Sequence, residues 1–170
     1  MKQGNIPPQR ARVQSSPLDL QGMLQHFQPY DGQSDEYPTG AIVSFSGLVR
    51  DFNERPEVTA LTLEHYPGMT EKVLHQLLLE AQTRWQLQDA LVVHRVGRML
   101  PGDIIVFVAV ASSHRKDAFA ACEYIMDMLK TRAPFWKKEE TDNDSYWVDA
   151  RESDAEAAAA WLKAHDGHRQ

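Results

Sequence analysis

The order of periodicities along this chain predicts an α+β domain built on a mostly antiparallel sheet. Three observations carry that expectation. Two long stretches have apolar residues at helical spacing, 69–85 and 114–131. Each is preceded by a pair of short β-branched or alternating runs. Pro- and Gly-containing turns separate the runs. The predicted order is α, β-β, α, β-β, α, β, α, with no internal repeat.

Taken in order, residues 1 to about 16 are polar, contain Pro7-Pro8, and read as loose. Ser16-Pro17 followed by LDLQGMLQHF predicts a short capped helix with proline in its first turn. YDGQSDEYPTG is a loop. AIVSFSGLV (41–49) is a strand, RDFNERPE a polar loop, and VTALTLEHY (58–66) a second, alternating strand. Tyr66-Pro67-Gly68 turns the chain into a helix whose stripe is Val73, Leu74, Leu77, Leu78, Ala81 and Trp85. ALVVHRVG (90–97) and DIIVFVAVA (103–111) are strands joined through Pro101-Gly102. Ser112-Ser113 cap a helix from about His114 to Thr131, with Ala118, Phe119, Cys122, Ile125, Met126 and Leu129 as its stripe. Pro134 ends it, because a residue before proline avoids helical geometry. A short strand around 146–148 follows. Ser153-Asp154-Ala155-Glu156 is a capping box opening an Ala-rich helix to about Ala164.

At 170 residues the chain suits one domain with appendages. We divide it into an extension with a short helix (1–36), a single domain (37–164) and a polar tail (165–170). The longest apolar runs are too short to span a bilayer. MKQGNIPPQRARVQSS has no apolar segment of a secretory leader, and a lone cysteine, Cys122, permits no internal disulfide. A cytoplasmic protein is expected. Cys122 lies on the apolar stripe and reads as a small core residue. The seven histidines form no metal motif, and no dinucleotide, P-loop or nucleophile-elbow signature occurs. We expect neither metal nor cofactor.

The formal net charge is -6, which disfavours a general nucleic-acid coat. Against that background LKTRAPFWKKE (129–139) gathers Lys130, Arg132, Lys137 and Lys138 around Phe135 and Trp136. Arg50, His114-Arg115 and Arg151 stand at predicted element ends, where scaffolds present binding groups. Several such cations suit an anion such as a phosphate, and a helix start at His114-Arg115 favours one. A lysine held against apolar rings is partly desolvated and suits acid/base or nucleophilic work, which singles out Lys130 and Lys137. His114 and Lys130 are separated by roughly 24 Å of helix at 1.5 Å per residue. Either the two ends serve different sites, or a second copy of the chain supplies one end to a shared ligand. A two-fold dimer does this, with Arg50, Lys130 and Lys137 from one chain and His114, Arg115 and Arg151 from its neighbour. The residues alone also allow a non-enzymatic module whose basic-aromatic segment binds an anion or single-stranded nucleic acid.

LTLEHYPGMTEK, HRVG…PGD, SSHR, IMDMLKTRAPFWKKE and WVDARESD, in that order from about Gly40 to Asp154, closely resemble the large catalytic subunits of molybdopterin synthase, the MoaE family. The resemblance implies an α/β-hammerhead with an additional antiparallel β subdomain. It implies a sulfurtransferase of molybdenum cofactor biosynthesis that converts cyclic pyranopterin monophosphate (precursor Z) to molybdopterin. Two sulfurs arrive from the C-terminal Gly-Gly thiocarboxylate of a small ubiquitin-like subunit. Two large subunits form the centre of a heterotetramer. By motif position the substrate-binding residues are Leu48, Val49, Arg50, His114, Arg115, Lys130, Lys137, Lys138 and Glu139, with Arg151 offered across the dimer. Lys130 is the catalytic lysine and Lys137 its helper. Phe45 and Met126 resemble apolar pocket walls. Many members have a lysine where this chain has Leu48, so one cation is missing at that strand end.

Overall fold

A computed structural model describes residues 6–27, 38–50, 58–148 and 152–166, with side chains to residue 163. The mostly antiparallel sheet read from the periodicities divides into two, as the additional antiparallel part implied by the family resemblance requires. In the first, β1 (Ala11–Gln14), β4 (Asp89–Arg95), β6 (Ile104–Ser112) and β2 (Ala41–Leu48) lie in the order β1-β4-β6-β2. Only β1–β4 is parallel. In the second, β5 (Gly97–Met99), β3 (Val58–His65), β7 (Phe135–Thr141) and β8 (Ser145–Val148) lie in the order β5-β3-β7-β8, all antiparallel. The helices are α1 (Leu20–His26), α2 (Met69–Trp85), α3 (Arg115–Arg132) and α4 (Glu152–Asp166).

The near-continuous apolar run of β6 follows from burial on both faces. Val106, Val108 and Val110 point into the core under α2 and α3. Phe107, Ala109 and Ala111 point into a second cluster with Leu18 and Phe27 beside α1. In β4, Ala90 and Val92 alternate with Leu91 and Val93 in the same way. The predicted stripe of α2 is the buried one, with Leu74, Leu77, Leu78 and Ala81 fully covered. A third cluster of Val49, Leu61, Leu63, Val96 and Met99 joins the two sheets.

Five expectations are corrected. Residues 11–14, read as loose, pair with β4; the 3-10 turn before them is tied down by an ion pair between Arg10 and Asp89. The strand expected over 90–97 breaks after Arg95, because Gly97, with φ 85°, redirects the chain into the second sheet. FWKKEET (135–141), assigned no element in the sequence, is the strand β7. Ser153 lies inside the first turn of α4, not at its cap. Proline does end α3 as expected: Ala133 is extended, with φ -75° and ψ 131°. Phe119, placed on the α3 stripe, is exposed, while Ala121, Tyr124 and Met128 are buried. The predicted loops 30–40 and 50–57 fall mostly outside the described residues.

His94 sits between the sheets, its ring 4.2 Å from that of Phe135 and its Nδ1 3.0 Å from the Arg95 carbonyl oxygen. Burial pushes its pKa down from 6.5 to about 4, with a small further push from His65. The unfolded chain therefore takes up a proton that the folded chain refuses between these values. Stability from this group is complete above about pH 6.5 and is lost as pH falls towards about 4, a cost approaching about 3 kcal/mol. Urea unfolding of the wild type and His94→Leu across that window is expected to give a shallower acid loss in the variant. Parallel pH dependences would show that His94 is not the group responsible.

Candidate active site

The segment 129–139 spans a forced change of element. Leu129 to Arg132 form the last turn of α3, Pro134 stops it, and the chain enters β7. Buried Thr70 fastens this corner: its hydroxyl lies 3.2 Å from the Pro134 carbonyl oxygen and 3.0 Å from that of Tyr66. Strand alternation then divides the basic segment between two faces. Lys137 and Glu139 are the cross-strand neighbours of Leu63 and Leu61, on the inward face. Trp136 and Lys138 lie on the other, where the Lys138 Nζ stands 5.7 Å from the Trp147 ring centroid.

The cations do not form an uncompensated patch. Lys130 Nζ is 3.2 Å from Asp154 Oδ1. Arg132 donates to both oxygens of Glu80, at 2.7 and 3.1 Å. Lys137 Nζ is 2.9 Å from Glu139 Oε1. Burial raises the pKa of Glu80, but hydrogen bonds from Arg132 and Tyr124 outweigh it and hold the carboxyl below its usual range. Arg132 thus belongs to a structural clamp between α2 and α3. Glu139 is only 6% exposed, and its Oε2 accepts from the Tyr146 hydroxyl at 3.2 Å. A buried carboxylate of this kind fixes the lysine it holds.

The remaining site residues separate by position. Val49 is buried in the cluster that contains Leu63, the neighbour of Lys137, and Arg50 follows it, exposed. Leu48 is 53% exposed beyond a register shift between Gly47 and Leu48. A Cβ on Gly47 would come within 2.7 Å of Val106 Cγ1, so the strand approaches β6 here as only glycine allows. Phe45 is exposed on the edge strand β2, and Met126 packs against the main core. His114 and Arg115 lie at the opposite end of α3. There, with Gly40, Ser113, Lys116 and Asp117, they line an open pocket of about 520 Å³. The His114 N–H donates to Ser112 Oγ at 3.3 Å, and Gln88 Nε2 donates to Ser113 Oγ at 3.0 Å. Because α3 packs back along β6 and β2, its last turn lies towards Leu48 and Arg50, far from His114. Arg50, Lys130 and Lys137 thus gather at one end of the molecule, and His114 and Arg115 stand at the other. Arg151 lies outside the described residues.

Cys122 is buried, and desolvation, helped by Glu123, pushes its thiol up to about 11, as suits a core residue. Among the described residues no group of three or more His, Cys, Asp or Glu could hold a metal ion. None of the described helices is long and apolar enough to cross a membrane. Sequence reasoning missed Asp154 and Tyr146 as partners of site residues. Asp154 was marked only as an acid opening a helix; Tyr146 becomes visible once β8 is placed opposite β7.

The family model described as "MoaE protein" matches residues 13–132, most of the chain. The chain belongs to the MoaE family. Among its relatives is a protein of Vibrio cholerae named molybdopterin synthase catalytic subunit, 56% identical over 134 residues, covering 79% of this chain and 89% of that protein. A solved MoaE structure, the molybdopterin biosynthesis protein from Burkholderia ambifaria, is similar at a TM-score of 0.72 and 48% identity, covering 88% of this chain and 95% of that one. A complex of subunits 1 and 2 of molybdopterin-converting factor from Helicobacter pylori includes a chain with the same fold at a TM-score of 0.67. It is 20% identical, over 82% of this chain and 90% of that one. The two-sheet architecture is thus that of the MoaE family, as the hammerhead with an added antiparallel part implies.

Proposed function

We propose that this chain is the catalytic subunit of a molybdopterin synthase. It converts precursor Z to molybdopterin with sulfur from a small partner subunit. The observation that carries the reading is that a MoaE-family chain holds each of two lysines on its own carboxylate, Lys130 on Asp154 and Lys137 on Glu139, on either side of the corner where α3 ends and β7 begins. Each sulfur transfer leaves the partner's acyl carbon bearing oxygen where it bore sulfur, and protons must move as that bond breaks. Lys130 serves as the acid/base of that step, or as a transient acyl acceptor, and Lys137 assists it. Arg50, His114, Arg115 and Arg151 hold phosphate and pterin, with Lys138 and Glu139 at the margin of the same segment. Phe45 and Met126 wall the pocket, and a flat pterin suits such apolar walls. At Leu48 the backbone is the group offered to substrate, since its side chain carries no charge; Val49, whose N–H donates to the Asp103 carbonyl and whose own carbonyl accepts from the Gly102 N–H, supports that strand end.

The partner is a small ubiquitin-like subunit ending in a Gly-Gly thiocarboxylate, and two copies of this chain form the centre of a cytoplasmic heterotetramer. Residues 37–164 are the body of the catalytic domain, and 1–36 are an extension that lends it β1 and α1. The division of the basic segment between two sheet faces counts against the alternative, a single-stranded nucleic-acid module, which needs its cations and rings along one groove. The test is an assay of the purified chain with precursor Z and a thiocarboxylated small subunit. Molybdopterin is expected only when both are present. No product under these conditions would overturn the reading.

A further inference from the structure

The acid facing Lys130 comes from α4, and α4 is fastened to the body two turns further on. Asp154 and Trp161 are seven residues apart and share one helix face. Asp154 meets Lys130, and the Trp161 Nε1–H donates to Asp127 Oδ2 at 2.8 Å. Lys130 and Asp127 are three residues apart on α3, so both contacts fall on one face of that helix and set its register against α4. The Trp161 ring is packed edge-on against Trp85 and Tyr124, at 5.7 Å from each, and the Arg84 guanidinium lies over all three rings. The ammonium stands at the C-terminal end of α3 and the carboxylate in the first turn of α4, the helix ends that favour each charge. Lys130 is otherwise a long, half-exposed side chain with many rotamers.

We propose that Asp154 is a positioning residue for sulfur transfer. Fastened through Trp161, it holds the Lys130 ammonium in the one direction from which it reaches the reacting groups. This rests on the assignment of Lys130 as the catalytic lysine. Asp154 needs no contact with substrate: its carboxylate restricts the lysine, and the aromatic anchor restricts the carboxylate.

The experiment compares Asp154→Asn, Asp154→Glu, Trp161→Ala and Lys130→Ala in the reconstituted assay with precursor Z and thiocarboxylated small subunit. The second readout is the rate at which an acylating reagent labels the Lys130 amine, followed by peptide mass spectrometry with Lys72 as internal control. Asp154→Asn is expected to lower kcat by about tenfold or more with KM little changed, the size of effect that misplacing a catalytic group produces. Labelling of Lys130 is expected to rise by up to about fivefold, as loss of an exposed ion pair allows. Asp154→Glu restores most of both, and Trp161→Ala reproduces both changes without altering the carboxylate. Unchanged or increased kcat in Asp154→Asn overturns the proposal, as does a loss of kcat with unaltered labelling of Lys130. A normal Trp161→Ala overturns the anchoring role. Active Lys130→Ala would instead overturn the catalytic assignment. An inactive Lys130→Ala beside a normal Asp154→Asn leaves that assignment standing and removes this one.

Discussion

Lys130→Ala is expected to lose molybdopterin formation by about 100- to 10,000-fold while remaining folded and able to bind its small partner, the range attributable to a positioned acid/base. The fold is expected to survive because Lys130 contributes little to it. Its side chain is 48% exposed, and its partner among the described residues is Asp154, on α4. Solvent screening limits such a pair to about 1 kcal/mol or less. The core beneath the same turn does not use the ammonium: Ile125, Met128 and Leu129 are buried through their apolar side chains. A melting temperature close to that of the wild type, with co-purification of the small subunit retained, should therefore accompany the loss. Lys137→Ala supplies the contrast. It strips the buried Glu139 carboxylate of a cation, so part of its effect is expected on stability. Normal turnover by Lys130→Ala would remove the assigned role, whatever Lys137→Ala does.

What the sequence made legible, and what it hid, divides along local and non-local lines. α2 and α3 were readable because each repeats its apolar positions over four turns or more and has a proline or glycine near one end. The two-sheet arrangement was not visible in the local patterns, because pairing is set by partners far away in sequence: β3 pairs with β7 across seventy residues or more. β7 also hides its nature in composition. Four of the seven residues of FWKKEET are charged, yet it alternates about its strand, with Glu139 buried beside Leu61. The candidate lysines were visible through charge and position. Their acids were not, since Asp154 meets Lys130 only where α4 packs on α3, a contact between elements that no local pattern marks. Phe119 shows the opposite failure: it fits the stripe by spacing, but Ala118 and Cys122 are buried while Phe119 itself is exposed.

Complementation between two inactive chains is the second large effect expected, and it follows from the length of α3 if one substrate meets both of its ends. Lys130 and Arg115 stand fifteen residues apart on one unbroken helix, roughly 22 Å at 1.5 Å per residue. A pterin phosphate is far smaller than this span. If both residues serve one substrate, they do so from different chains. Lys130→Ala and Arg115→Ala homodimers then each lack an essential group at both of their sites. In a mixed dimer one site takes Lys130 from the Arg115→Ala chain and Arg115 from the Lys130→Ala chain, and is complete. The other site lacks both. Random exchange makes about half the dimers mixed, each with one working site of two, so about one quarter of wild-type activity should return. The amount is diagnostic. Recovery near a quarter with equal mixing, falling as either variant is put in excess, requires a site shared across the two-fold axis. If Arg115 and Lys130 act within one chain, a mixed dimer contains no complete site and activity stays at the level of the separate variants. That result would divide the cations into two independent sites, and would leave His114 and Arg115 with the open pocket at the start of α3 as a separate anion site.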